Sequence, residues 1–383
     1  MRPVVWYISG HGFGHASREI EIINAIRHRR PDLPIVIRTG AKRWIFDLTL
    51  RAPVVSGGFQ PAPVNWQQAE CDTGIVQIDS LRLDEGETLR RAGEFYRDFD
   101  ARVEVERRTL VALDAQLVVG DVPPLAFASA HAAGIPSVAV ANFTWDWIYE
   151  DYHPEAAGLG DLVGRIRDAS AHAELFVRLP MWGGFAMAPP DATRDVPLVA
   201  RRSERDPAET RKALGLPADR KLVLLSFGGH GLKGLAPEAF DSFGDGFVAV
   251  LTGHLEMSEA ARRSQRGVIE FDERELYDAG WRYEDLVAAV DVVATKPGYG
   301  IIAECAANRT AILYTSRGHF VEYDVLVREM PRYVRSQFIP QESLFAGQWR
   351  PFLEQLLSQP APPPADVSGA ALAADLILER VTP

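Results

Sequence analysis

Short apolar runs alternate with stretches of helical spacing along almost the whole chain. Residues 4–8 form the first run, Val-Val-Trp-Tyr-Ile, with no polar position in it. Such an unbroken run predicts a strand buried on both faces, as in a parallel sheet. In residues 19–29, Ile20, Ile23 and Ile26 recur at helical spacing, so a helix follows the strand. Further strands are predicted at 33–38, 75–78, 117–119 and 137–141. Between them, 88–113 reads as a long charged helix interrupted near Asp98-Phe99-Asp100, and 125–133 as a helix opened by Pro123-Pro124.

The same rhythm restarts after a polar stretch at 201–206. Asp206-Pro207 opens a helix and Gly215 closes it. Strands are then predicted at 221–225, 247–251, 268–271, 292–295 and 310–314, with helices at 283–290, 301–307, 349–357 and 370–378. Strands alternating with helices predict an α/β architecture of parallel sheets covered on both faces. A length of 383 residues fits two domains, at about 150 residues each. The expected boundaries are 1–200, 201–350 and a helical tail at 351–383.

Composition narrows the function classes. A net charge of -11 disfavours a general nucleic-acid partner. Cys71 and Cys305 lie far apart without metal-ligand spacing, which suits a reducing, cytoplasmic setting. The apolar run at 4–8 is too short for the core of a signal peptide. No run approaches the roughly 18 apolar residues of a membrane span.

Chemistry concentrates where strands end in glycine turns. The first is Ser9-Gly10-His11-Gly12-Phe13-Gly14-His15, at the carboxyl end of the first strand. Open α/β sheets place their ligands there, and unpaired N–H groups at a helix start favour an anion or a polar group. A dinucleotide fingerprint fits poorly, because His15 stands where the third glycine is required. The acidic ribose ligand expected about 20 residues on is also missing, since the second strand ends in Arg38-Thr39-Gly40. Two more turns, at 226–231 and 296–300, fall in the second half. Together they suit a diphosphate. Neither is a P-loop, because no Gly-Lys-Ser/Thr follows, so a kinase reading gains no support. Glu304, one helical turn beyond Gly300, is placed to accept both hydroxyls of a ribose, or else to sit as an ordinary helix glutamate.

Two such domains, with a histidine in the first glycine turn and a glycine turn plus glutamate in the second, resemble the GT-B fold of nucleotide-sugar glycosyltransferases. Ser226-Phe227-Gly228-Gly229 and the segment Lys296-Pro297-Gly298-Tyr299-Gly300 through Glu304 are similar to the bacterial N-acetylglucosaminyltransferases of cell-wall lipid synthesis. Over most of the chain the likeness is to the non-kinase region of plant L-arabinokinases. It is carried by residues 10–15, Asn142-Phe143-Thr144-Trp145-Asp146, Ile148-Tyr149, Arg178-Leu179-Pro180, residues 195–199 and Phe227-Gly228-Gly229. Gly12-Phe13-Gly14-His15-Ala16-Ser17-Arg18 also resembles the turn of a GT-B nucleotide-sugar hydrolase, in which the histidine serves a water nucleophile.

The resemblance implies a set of roles. His15 is the general base, a task that suits a group titrating near neutral pH, and His11 and Arg18 orient it or steady charge. Ser226, Gly228, Gly229, His230, Gly298, Tyr299 and Gly300 hold the donor diphosphate, and Glu304 the ribose. Glu322 and Tyr323 take the donor sugar. Gly12, Gly14, Asp121, Asn142, Trp145 and Asp146 face the acceptor, although Trp145 and Trp147 also suit plain core packing. No cofactor is expected beyond a nucleotide-sugar co-substrate, taken as UDP-linked, and no metal. Transfer with inversion to a small-molecule or glycan acceptor is the first expectation. A nucleotide-sugar hydrolase and a non-catalytic sensor remain the alternatives. The fold also implies that the last helix returns to the first domain.

Overall fold

The computed structural model describes residues 1–53, 60–228, 235, 239–240, 243–244, 246–252 and 267–382. A first sheet holds seven parallel strands, β1 (Val4–Ile8), β2 (Ile35–Thr39), β3 (Val64–Gln68), β4 (Leu117–Asp121), β5 (Ser137–Ala141), β6 (Leu175–Arg178) and β7 (Thr193–Asp195), in the order β3-β2-β1-β4-β5-β6-β7. The second has six, β8 (Lys221–Ser226), β9 (Phe247–Thr252), β10 (Val268–Phe271), β11 (Val292–Thr295), β12 (Ala311–Tyr314) and β13 (Ser336–Phe338), in the order β10-β9-β8-β11-β12-β13. Every residue of β1 is buried. Val4, Trp6 and Ile8 enter one apolar layer and Val5 and Tyr7 the other, which is why the run needs no polar position.

Both sheets reverse their winding beside their first strand, between β1 and β4 and between β8 and β11. Ligands of open α/β sheets settle at such switch points. Register decides what meets there. Ile8 pairs with Asp121, and Ser226 with Thr295, so each glycine turn leaves its sheet beside the end of a neighbouring strand.

The stretch 75–78 is not a sheet strand. It belongs to a loop with one isolated bridge, Gln77 to Leu83, and the edge strand is β3 instead. The loop crosses to the second domain, where Leu81 is buried among Val223, Leu225 and Phe227. The Gly318 N–H donates to Leu81 O at 2.7 Å. The charged helical stretch divides into Glu85–Arg97 and Phe99–Ala112, broken at Asp98. Helix α1 (Phe13–Arg29) follows β1, and the last helix, Gly369–Leu378, lies against it, with Arg29 Nε 2.8 Å from Asp375 Oδ1. No helix among the described residues is long and apolar enough to cross a membrane. Cys71 and Cys305 are free thiols, both buried.

Candidate active site

A cavity of about 890 Å³ lies between the two sheets and takes its wall from both domains. On the first domain's side it begins at Gly12, whose φ of +80° is open to glycine and strained for other residues. No side chain caps α1 and no acid sits in its first turn, so the helix start keeps its positive partial charge. His15, one residue inside Gly14, lines the cavity.

His15 Nδ1 lies 2.9 Å from Asp121 Oδ2. Arg18 Nη2, which can only donate, lies 3.1 Å from the same nitrogen but already donates to Asp121 Oδ1. The ionised carboxylate, which only accepts, therefore takes the Nδ1 hydrogen and leaves the lone pair on Nε2. Arg18, at i+3 on the same helix, donates to Asp121 Oδ1 and, at 2.5 Å, to Asn142 Oδ1. Burial pushes the Asp121 carboxyl up, but the Arg18 guanidinium and His15 outweigh it and hold it below the ordinary carboxylate range. Neighbouring Glu19 goes the other way. Burial, and then Asp121, push it well up despite Arg18. Asp121 is therefore the counter-ion of Arg18. Asn142 Nδ2 in turn donates to Glu322 Oε1 at 2.8 Å. A continuous polar chain thus runs from His15 through Asp121, Arg18 and Asn142 into the second domain.

His11 lines the cavity but has different partners. Its Nδ1 accepts from the Ile75 N–H at 3.2 Å, and its ring meets Trp145 edge-on at 5.7 Å. Three expected acceptor residues are elsewhere. Asp121, Trp145 and Asp146 are at most 1% exposed and are not part of the cavity wall. Asp121 stands behind His15. Trp145 packs on Tyr149 and donates to Asp72 Oδ2 at 2.9 Å, while Asp146 accepts from Arg167 Nε at 3.1 Å. Large rings and ion-paired carboxylates at the start of a covered helix serve the core. Gly12, Gly14 and Asn142 do reach the cavity. Asp72, not singled out in the sequence, accepts from Ser9 Oγ and Trp145, and burial pushes it up to about 6.

The second domain presents its own uncapped helix start. Gly298 precedes the helix Tyr299–Asn308, which has no side-chain cap and no acid in its first turn. A Cβ on Gly300 would lie 3.2 Å from Gly14 Cα, so the two helix starts meet backbone to backbone. Ser226, Gly228, Gly298 and Gly300 line the cavity. Ser226 Oγ accepts from the Tyr283 hydroxyl, which leaves the serine O–H to donate. Gly229 and His230 lie outside the described residues. Tyr299 offers only its backbone to a phosphate, because its hydroxyl accepts from the Val199 N–H at 3.0 Å and its ring lies under Arg18.

Glu304 is on the wall but already partnered. Arg201 donates to its Oε1 through Nε at 2.6 Å and also through Nη2. Burial raises the Glu304 carboxyl to about 7 although Arg201 pulls it down. Glu322 is buried on the wall, whereas Tyr323 is half-buried beside Tyr314 and is not a wall residue. Burial raises the Tyr323 phenol to about 12. The wall also contains Arg201, Arg317, Gln77, Trp44 and Tyr277, which no local pattern marked, and Phe13 and Lys296, which belong to the glycine turns but were given no role of their own. Trp44 from the first domain meets Tyr277 from the second at 6.4 Å.

No protein-family model matches the chain. It is 30% identical over 380 residues to an L-arabinokinase of Arabidopsis thaliana, a match covering 98% of this chain and 34% of that protein. The chain thus spans about a third of the length of that relative. Among solved structures it is similar to the glycotransferase of kitacinnamycin, at a TM-score of 0.63, 15% identity and full coverage of both chains. It is also similar to CalG4, the calicheamicin glycosyltransferase, at a TM-score of 0.58 and 16% identity, covering 99% and 95% of the two chains.

Proposed function

We propose that this chain, which has the two-domain GT-B fold, transfers a sugar from a nucleoside diphosphate sugar to a hydroxyl acceptor. The observation that carries the reading is His15 on the wall of a cavity shared by both domains, paired with the buried Asp121 behind it. Its Nε2 lone pair takes the acceptor's proton as the oxygen attacks the anomeric carbon. The imidazolium that forms is stabilised by Asp121 through the Nδ1–H bond. Attack from the face opposite the leaving group gives inversion.

The leaving diphosphate gains charge as the glycosidic bond breaks. The N–H groups at the start of Tyr299–Asn308, the Ser226 hydroxyl and the backbone at Gly228 are placed to meet that charge, and Gly229 and His230 belong to the same turn. Preorganised donors of this kind act on the transition state and let the reaction proceed without a metal. Glu304 accepts the ribose hydroxyls on the oxygen that Arg201 leaves open. Glu322, oriented by Asn142, accepts from the sugar. Phe13, Trp44 and Tyr277 supply flat surfaces for a base, and uridine is the first candidate.

A thermal-shift screen of nucleoside diphosphates and their sugars, followed by mass analysis of products with and without acceptor, tests the proposal. Nucleotide-dependent stabilisation with sugar transfer supports it. Release of free sugar with every acceptor would reassign the chain as a hydrolase, and no response to any nucleotide would end the proposal.

A further inference from the structure

Among the wall residues that the proposed reaction leaves unused are Lys296 and Arg317. Lys296 follows β11, and Arg317 stands in the loop after β12. Both are half-buried. Lys296 Nζ donates to Gln77 Oε1 at 3.1 Å. Arg317 lies over the Phe320 ring at 4.4 Å, and its Nε is sealed from solvent without a partner. Among the described residues neither forms an ion pair. Of the acids that act on them, Glu322 keeps its charge and Asp79 is paired with Arg82. Glu322 Oε1 is taken by Asn142, and Asp79 by Arg82 and the N–H groups of Leu81 and Arg82.

Two cations facing one cavity that share a single charged acid, Glu322, leave one positive charge unbalanced, which is costly unless a ligand supplies the charge. From this arrangement we infer that the sugar or acceptor filling the cleft carries an anionic group of its own, a carboxylate or a phosphate, held by Lys296 and Arg317. This rests on the proposed glycosyl transfer. The donor diphosphate has its seat at the start of Tyr299–Asn308 and at Ser226 and Gly228. Lys296 and Arg317 instead gather around Glu322, which Asn142 ties to Arg18 and so to His15. The second anion therefore sits on the sugar-and-acceptor side of the reaction. Burial and the charge of Arg317 push Lys296 down to about 7, so an entering anion also favours its protonated form. The carboxylate of a uronic acid and the phosphate of a sugar phosphate share the chemistry required.

The test is calorimetry on the intact protein with UDP bound, titrated with glucose, glucuronate and glucose 1-phosphate. The expected result is that at least one anionic sugar binds ten or more times tighter than glucose, and the better anion names the class. Arg317→Gln should reduce that affinity about 10–150-fold, the worth of a charge-assisted bond, and leave UDP affinity within twofold. Equal binding of all three sugars by the wild type would overturn the inference without any variant. A fall in UDP affinity matching the fall for the sugar acid would also overturn it, by assigning the pair to the diphosphate. Absence of UDP binding by the wild type would instead sink the underlying proposal.

Discussion

Asp121→Asn tests the polar chain behind the base. The amide is isosteric but neutral, so it still accepts from His15 Nδ1–H across the present 2.9 Å and no longer stabilises an imidazolium. A hydrogen bond to a charged group contributes about 1.5–3 kcal/mol, so kcat should fall about 10–150-fold. Asp121 is 0% exposed and is not a wall residue, so donor affinity should stay unchanged. Stability should suffer separately. Arg18 is 3% exposed, its nearest other acid is Glu19 at 3.8 Å, and Glu19 is pushed towards neutrality. An uncompensated buried charge costs about 3–5 kcal/mol. Because the folded Asp121 carboxyl is held low, its contribution is complete above about pH 4, where the unfolded carboxyl is ionised, and is lost as pH falls through the lower folded value. Wild type should thus lose stability on acidification below about pH 4 more steeply than the variant. Turnover at saturating donor and urea unfolding provide the two readings. A folded Asn variant with kcat within twofold of wild type would refute the role given to Asp121.

Glu304→Gln should weaken nucleoside diphosphate binding about 10–150-fold by calorimetry, and equal affinities would remove Glu304 from the ribose site. Ribose hydroxyls donate to the ionised carboxyl, so wild-type affinity should rise as pH passes upward through about 7, a step the Gln variant lacks. At pH 8 a neutral Lys296 should take up a proton when an anionic sugar binds. The binding enthalpy should then vary with buffer ionisation heat, and in Lys296→Met it should not. Gly300→Ala sets a Cβ 3.2 Å from Gly14 Cα, which should spread the cleft at a cost of about 1–3 kcal/mol and raise the KM for the donor. Unchanged unfolding and KM would show that the two helix starts give way freely.

Buried parallel strands were readable because both faces are covered. The run at β1 carries no polar position, and those at β8 and β11 carry them only at their ends, Lys221, Ser226 and Thr295. The edge strand β3 was not, since Val-Asn-Trp-Gln-Gln is half exposed and polar. Residues 75–78 look like a strand because Ile75, Val76 and Ile78 are apolar, yet they belong to a loop whose Leu81 serves the other domain's core. His15 stood out in its glycine turn, and Arg18 through the likeness of residues 12–18 to the turn of a nucleotide-sugar hydrolase. The burial of Asp121 and Asp146 was not legible, because the motif names residues at a strand end without saying which face they take, whereas core packing was one of the two readings of Trp145. Arg201 and Arg317 had no local signal, and Lys296 opened a glycine turn without a role of its own. Arg201 meets Glu304 across 103 residues, and Lys296 meets Gln77 across 219, and such contacts exist only after both sheets have formed.

His15→Gln probes the central claim most directly. Gln keeps a polar side chain at the helix start but cannot take up a proton. With a nucleoside diphosphate sugar and an acceptor that the wild type uses, kcat should fall about 10²–10⁴-fold, the usual contribution of positioned proton transfer. Nucleotide affinity should hold, because the diphosphate and ribose seats lie on the second domain. A folded Gln variant with near-normal turnover would contradict the account and leave this turn as scaffold.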